Sequence, residues 1–229
     1  MERREFIKFF CAAAAVAPPT VAADARPRFY SRAKLVDEKG APVRAKAIPA
    51  HQNLIFHYPF AATPCFLLNL GRPAASAVTL KTAGSETYEW KGGVGAERSV
   101  VAYSAICAHR LSYPTRDISF ISFRAEKSAR NKHAAVIHCC SEHSQYDPAR
   151  GARVVAGPAP QPLAAIVLEH DAASDEVYAV GTLGGEMFNE FFQKFEFRLA
   201  QEHPSPRVAV SGSCVVQPLD HYCKQQVRC

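Results

Sequence analysis

Cys107-Ala108-His109 and Cys140-Ser141-Glu142-His143 place two thiols and two imidazoles in a C-x-H … C-x-x-H frame. Thiolates are soft ligands that hold iron–sulfur clusters or zinc, while imidazole suits zinc, copper and iron. A C-x-H step is shorter than the usual ligand spacings of structural zinc sites. It does suit a [2Fe–2S] centre in which two cysteines hold one iron and two histidines the other. Each loop then gives one cysteine and one histidine. Cys139 directly precedes the second cluster, and Glu142 lies within it.

Working outward, Val100 to Ile106 (VVAYSAI) is a β-rich run that delivers the first cluster to the end of a strand, and Val136-Ile137-His138 does the same for the second. Next come Ser144-Gln145-Tyr146-Asp147-Pro148, Gly151-Ala152-Arg153-Val154 and Gly157-Pro158-Ala159-Pro160-Gln161-Pro162-Leu163. From about Val100 to Val180, this order of motifs resembles the Rieske iron–sulfur family. There, the C-x-H and C-x-x-H loops are followed by an S-x-Y/F-D-P turn and a G-P-A-P-x-x-L loop covering the cluster. The resemblance implies a mainly β fold, an antiparallel β-sandwich or barrel with cluster-binding loops, and one [2Fe–2S] cluster per chain. By the same resemblance, Cys107 and Cys140 bind the inner iron and His109 and His143 the outer iron. Ser144 would donate to a bridging sulfide and Tyr146 to a cysteine ligand sulfur.

The match departs from the family in three places. Arg110 to Cys139 spans thirty residues, longer than the family's interval. Ser144 follows His143 directly, where the family has one residue between. Counting back from Ser144 without a gap puts Cys139 on the cysteine position and Glu142 on the second histidine position. Cys140 and His143 keep the right mutual spacing and are the expected pair, and a Rieske fold without a cluster is a third reading. Finally, high-potential members carry a disulfide between the two loops, and the matching positions here are Ser112 and Glu142. The resemblance therefore implies loops held by packing and hydrogen bonds, and a middling potential.

The chain has 229 residues, enough for one domain with a full core and accessories. Its formal net charge is +6, which suits an acidic partner or anionic surface and equally serves solubility. No basic helix and no basic–aromatic alternation point to nucleic acid. Arg3-Arg4-Glu5-Phe6-Ile7-Lys8 matches the twin-arginine export pattern, Phe9 to Ala17 forms a short apolar run, and Ala22-Ala23-Asp24-Ala25 offers a small-residue cleavage site. That run is short of the roughly 20 residues needed to span a bilayer. Residues 1–25 thus read as a signal delivering a folded protein to the bacterial periplasm, with membrane association only if the signal is kept as an anchor. Cys11 leaves with the signal. Cys65, Cys139, Cys214, Cys223 and Cys229 remain beside the expected ligands, and the crowding of the last three predicts a bridge among them.

Residues 26–183 read as the Rieske-type β domain, with the cluster-binding part at 100–180. Asn53 to Phe56, Cys65 to Leu70 and Ala77 to Leu80 are short apolar runs suited to an antiparallel assembly. Between the ligand loops, Ile118 to Phe123 reads as one strand and Ala134 to His138 as a returning one. The whole insert carries six bases (Arg110, Arg116, Arg124, Lys127, Arg130, Lys132) against two acids (Asp117, Glu126). It is either a docking element beside the cluster or a solvated hairpin. Leu163 to Glu169 and Glu176 to Val180 form a closing hairpin. Residues 184–229 are a C-terminal extension with a Cys-rich tail, and Phe188, Phe191, Phe192, Phe195 and Leu199 recur at helical spacing from about Glu186 to Glu202.

No acid–base pair or nucleophile motif stands out. About fifty residues follow the Rieske-like region, too few for the mononuclear-iron domain of a Rieske oxygenase. The expected role is electron transfer to or from a redox protein, either a cytochrome or a larger oxidoreductase subunit, rather than stand-alone catalysis. A subunit of a quinol-oxidising cytochrome bc-like complex and a cluster-free binding or assembly subunit are the alternatives.

Overall fold

Short runs of branched and aromatic residues, punctuated by glycine and proline, set the architecture. The computed structural model describes residues 25–128 and 132–229. Apart from Ala25, the expected export signal lies outside these residues, as does Arg130 of the insert. In chain order the strands begin with β1 (Arg28–Val36), β2 (Leu54–His57), β3 (Pro64–Asn69), β4 (Val78–Lys81), β5 (Thr87–Trp90) and β6 (Val100–Ser104). Then follow β7 (Ile118–Ser119), β8 (Ile121–Arg124), β9 (Val136–Cys139), β10 (Ser144–Asp147), β11 (Arg153–Ala156), β12 (Ala165–Asp171) and β13 (Glu176–Leu183). The chain finishes with α1 (Phe188–Glu202), β14 (Gly212–Val215), β15 (Gln217–Pro218), α2 (Leu219–Tyr222) and β16 (Gln225–Gln226).

Eight strands form one sheet in the order β14-β1-β13-β12-β6-β3-β2-β15. Its inner pairs are antiparallel, and only β1 and β14 run parallel. The two edge strands, β14 and β15, are separated by Val216 alone. One continuous segment therefore joins both edges and nearly closes the sheet into a barrel, which removes exposed strand edges. Period-2 alternation divides the side chains. Leu54, Phe56, Cys65, Leu67, Val100 and Ala102 fill one core. Their neighbours Ile55, Phe66, Leu68, Val101 and Tyr103 fill another, against Trp90 and the residues of the ligand loops. Burial on both faces explains why these strands read as unbroken apolar runs.

A second sheet, ordered β11-β10-β9-β8, carries the other ligand loop. The expected hairpin between the loops forms, with Ile121 opposite Cys139 and Arg124 opposite Val136. The single strand expected over Ile118 to Phe123 is instead two. Ser119 Oγ donates to the Ile121 carbonyl at 2.7 Å, which turns the chain at Phe120. This frees β7 to pair in parallel with β16 of the C-terminal tail. Helix α1 buries Phe188, Phe191, Phe192 and Leu199 against Ala62, Ile106, Leu111 and Tyr113. The phenylalanine stripe thus packs onto the parent domain, beside the first ligand loop. No helix among the described residues is long and apolar enough to cross a membrane.

Candidate metal centre

The first loop leaves β6 and closes on itself. The Cys107 N–H donates to the Ser112 carbonyl at 2.8 Å, and the Leu111 N–H donates to the Cys107 carbonyl at 2.9 Å. Leu111 takes a φ of +64° to make this turn, a conformation costing a branched residue on the order of 1 kcal/mol or more. The surrounding packing therefore fixes the loop. Cys107 is buried at its base. His109 is half-buried, and its Nδ1 is buried with no hydrogen-bond partner among the described residues.

The second loop joins β9 to β10, and the pairing register decides where its side chains go. Cys139 lies opposite Ser144, His138 opposite Gln145, and Ile137 opposite Tyr146. Directly opposed residues share a face, and consecutive residues alternate. Cys139, Ser144 and Tyr146 therefore face one side, in the core that holds Cys107. Cys140 leaves on the other side, in a disulfide with Cys229. His143 adopts a φ of +59°, and its ring sits beside His138 with centroids 5.9 Å apart. The structure thus brings together Cys107, His109, Ser144 and Tyr146, but seats Cys139 rather than the expected Cys140 opposite Cys107. It also turns His143 away and places Glu142 between the loops, where the carboxylate lies 3.8 Å from the Arg110 guanidinium.

The electrostatics follow from this geometry. Cys107 is held below the ordinary thiol range, first by a hydrogen bond from Cys139, then by Tyr146 and the backbone N–H groups of His109 and Arg110. Its partner Cys139 is pushed up by donating that hydrogen bond and by burial. Tyr146 accepts from the Ala108 N–H at 3.2 Å. Its hydroxyl also lies within hydrogen-bond distance of Cys107 Sγ, 3.2 Å away, and burial pushes the phenol up. Ser144 Oγ is buried and has no partner among the described residues. Two facing thiols, a phenol hydroxyl at hydrogen-bond distance from one of them, an unpartnered hydroxyl and an unpartnered imidazole nitrogen fit a sulfide-bridged iron cluster. Cys107, Cys139 and His109 would supply two thiolates and one imidazole to it.

Gly157, which opens the glycine–proline loop, packs against the second ligand loop. A Cβ on Gly157 would lie 2.5 Å from the His143 carbonyl oxygen and 2.5 Å from Ser144 Cα, and its φ is +85°. Only glycine allows that approach. Away from the centre, Arg124 is half-buried and donates through Nη2 to the Val227 carbonyl, so one of the six insert bases is engaged internally. The bridge expected among Cys214, Cys223 and Cys229 does not form. Cys214 and Cys223 are buried free thiols, and Cys229 crosses instead to Cys140. Motif spacing favours Cys140 and His143, leaves Cys139 and Glu142 as the alternative, and misses the Cys140–Cys229 bridge. Counting the motif back from Ser144 without a gap gives Cys139 and Glu142, and the pairing of Ser144 with Cys139 agrees with the first.

No family model matches the chain. Among solved structures it is similar to the soluble domain of the Rieske protein II (soxF) from Sulfolobus acidocaldarius, with 27% identity, 67% of this chain and 78% of that chain covered, and a TM-score of 0.44.

Proposed function

We propose that this protein is a Rieske-type [2Fe–2S] electron-transfer protein in which Cys107 and Cys139 hold the inner iron and His109 and Glu142 the outer one. The observation that carries the reading is the pair of buried thiols, Cys107 and Cys139, meeting under the Tyr146 hydroxyl with Ser144 on the same face. When bound, such a cluster supplies a one-electron couple. Tyr146 and Ser144 withdraw charge from sulfur by hydrogen bonding and favour the reduced state. Glu142 acts the other way. A carboxylate adds negative charge where the family's second histidine is neutral, and so favours the oxidised state, with Arg110 offsetting part of that charge.

Purified protein should contain about two irons and two sulfides per chain, with the low-average-g EPR signal of mixed ligation. Cys139→Ser should abolish both, whereas Cys140→Ser should leave them in place. Colourless protein, or loss of iron in Cys140→Ser alone, overturns the assignment. The same measurement separates a second reading, favoured by the carboxylate at position 142: a cluster-free domain whose Cys107 and Cys139 remain thiols.

We also infer export by the twin-arginine route, because Arg3-Arg4 precedes a short apolar run and the proposed cargo folds around a cofactor. The electron partner is then a periplasmic cytochrome or a larger oxidoreductase subunit. Changing both arginines to lysine should keep folded protein out of the periplasm, and undiminished export would rule out that route.

A further inference from the structure

Strand alternation that sends Cys139 toward Cys107 also gathers a second set of donors on the opposite face. His138 and Cys140 are two apart in the chain and share that face, and His143 follows on the return with its ring 5.9 Å from that of His138 by centroid. The C-terminal tail supplies the fourth group. Parallel pairing of Gln225 with Ile118 and Gln226 with Ser119 lays the tail along the hairpin. The Val227 N–H donates to the Ser119 carbonyl at 2.8 Å, and Ser128 Oγ donates to the Cys229 carbonyl at 2.9 Å. Cys229 is thereby delivered to Cys140. The ligand atoms of His138, Cys140 and Cys229 all lie within 4.8 Å of one another.

We propose that reducing the Cys140–Cys229 bridge converts this face into a zinc site formed by Cys140, Cys229, His138 and His143. Two thiolates and two imidazoles are the donor set of tetrahedral structural zinc. The bridge and the metal exclude each other, because a sulfur bonded to sulfur is not a thiolate. A dithiol reductant opens the bridge. Its two sulfurs join in a new disulfide, the Cys140–Cys229 bond breaks, and the two cysteines gain two electrons and two protons. Zinc then displaces both thiol protons to solvent, and the two thiolates balance its charge. The site is separate from the cluster proposed above and does not depend on it.

The test uses full-length protein, as purified and after anaerobic treatment with dithiothreitol and desalting, with zinc measured by elemental analysis after Zn²⁺ is offered and excess removed. Reduced protein should retain one zinc that the oxidised protein does not take up. Cys229→Ser should remove that equivalent, as should His143→Ala. Cys107→Ser should keep it, even where iron is lost. Cobalt in place of zinc should give the intense ligand-field bands of a tetrahedral thiolate–imidazole site. Failure of the reduced protein to take up zinc, retention in Cys229→Ser, or loss in Cys107→Ser would each overturn the proposal. Iron and sulfide content in the same samples reports separately on the cluster.

Discussion

Cys139 and Cys140 have the same chemistry and opposite surroundings, because consecutive side chains on a strand point to opposite faces. One faces Cys107, and the other is bonded to Cys229. Glu142 follows from the same register, since Ser144 fixes the count. If its carboxylate takes the place of a neutral imidazole, Glu142→His should raise the midpoint potential by on the order of 100 mV, judged from the span between all-thiolate and mixed-ligand clusters. Tyr146→Phe should lower it by removing the hydroxyl from Cys107 Sγ. Redox titration followed by EPR reads both, and an unchanged potential in Glu142→His would place that side chain outside the coordination sphere. The sequence motifs made most of this site legible: Cys107, His109, Ser144 and Tyr146 are all placed by short, ordered patterns. Spacing alone did not separate Cys139 from Cys140, because a C-x-x-H match ignores the pairing register, where a one-residue slip exchanges faces. Nothing local marks Cys229 as the partner of Cys140 across a separation of 89 residues.

Among the described residues no disulfide joins the two ligand loops directly, and two elements of the C-terminal extension brace them separately. The tail is bonded to the second loop through Cys229. Helix α1 braces the first: Phe191 meets Tyr113 edge-on at 4.8 Å between centroids, and Lys194 Nζ donates to the Arg110 carbonyl at 2.7 Å. Phe191→Ala should therefore cost about 3–5 kcal/mol, the usual range for removing a buried aromatic. It should also speed amide exchange in residues 107–113 more than in the barrel strands. Phe197→Ala is the control, since that ring is 80% exposed, and such surface changes usually stay within about 0.5 kcal/mol. Denaturant unfolding with hydrogen exchange checks both, and equal exchange in loop and barrel would mean that the helix stabilises the fold without bracing the loop. The phenylalanine spacing announced this helix, and its packing face follows from that spacing. Its target did not, because Tyr113 and Phe191 meet only through tertiary folding. Similarly, β14 and β15 are too short to stand out in sequence, and their value lies in joining the two edges of one sheet.

At the scale of the whole molecule, distant segments converge where the barrel edge meets the extension. His57 on β2 faces His203 just beyond α1, Tyr222 on α2 and Arg116 of the insert. Its ring centroid lies 5.6 Å from that of His203 and 5.4 Å from that of Tyr222. Burial, then the positive neighbours His203 and Arg116, lower the His57 pKa to about 3, and burial lowers that of His203 as well. An unfolded histidine titrates near 6.5. Between about 6.5 and 3, the unfolded chain therefore binds more protons than the folded one, and stability falls as pH falls through that window. The full slope for one such group is about 1.4 kcal/mol per pH unit. The observed slope should be somewhat smaller, because His57 and His203 are only partly buried and solvent screens the charges. Asp175 and Glu176 also have lowered pKa values, through hydrogen bonds to His170 and Lys34 respectively. Their stabilising contributions are lost progressively below about pH 5, as the carboxylates of the unfolded chain and then of the folded protein take up protons. The interval from pH 6.5 to about 5 therefore isolates the histidines. Urea unfolding across it should show stability declining with acid in the parent protein and a flatter profile in His57→Phe. An equally steep decline in the variant would move the acid-sensitive group away from this junction.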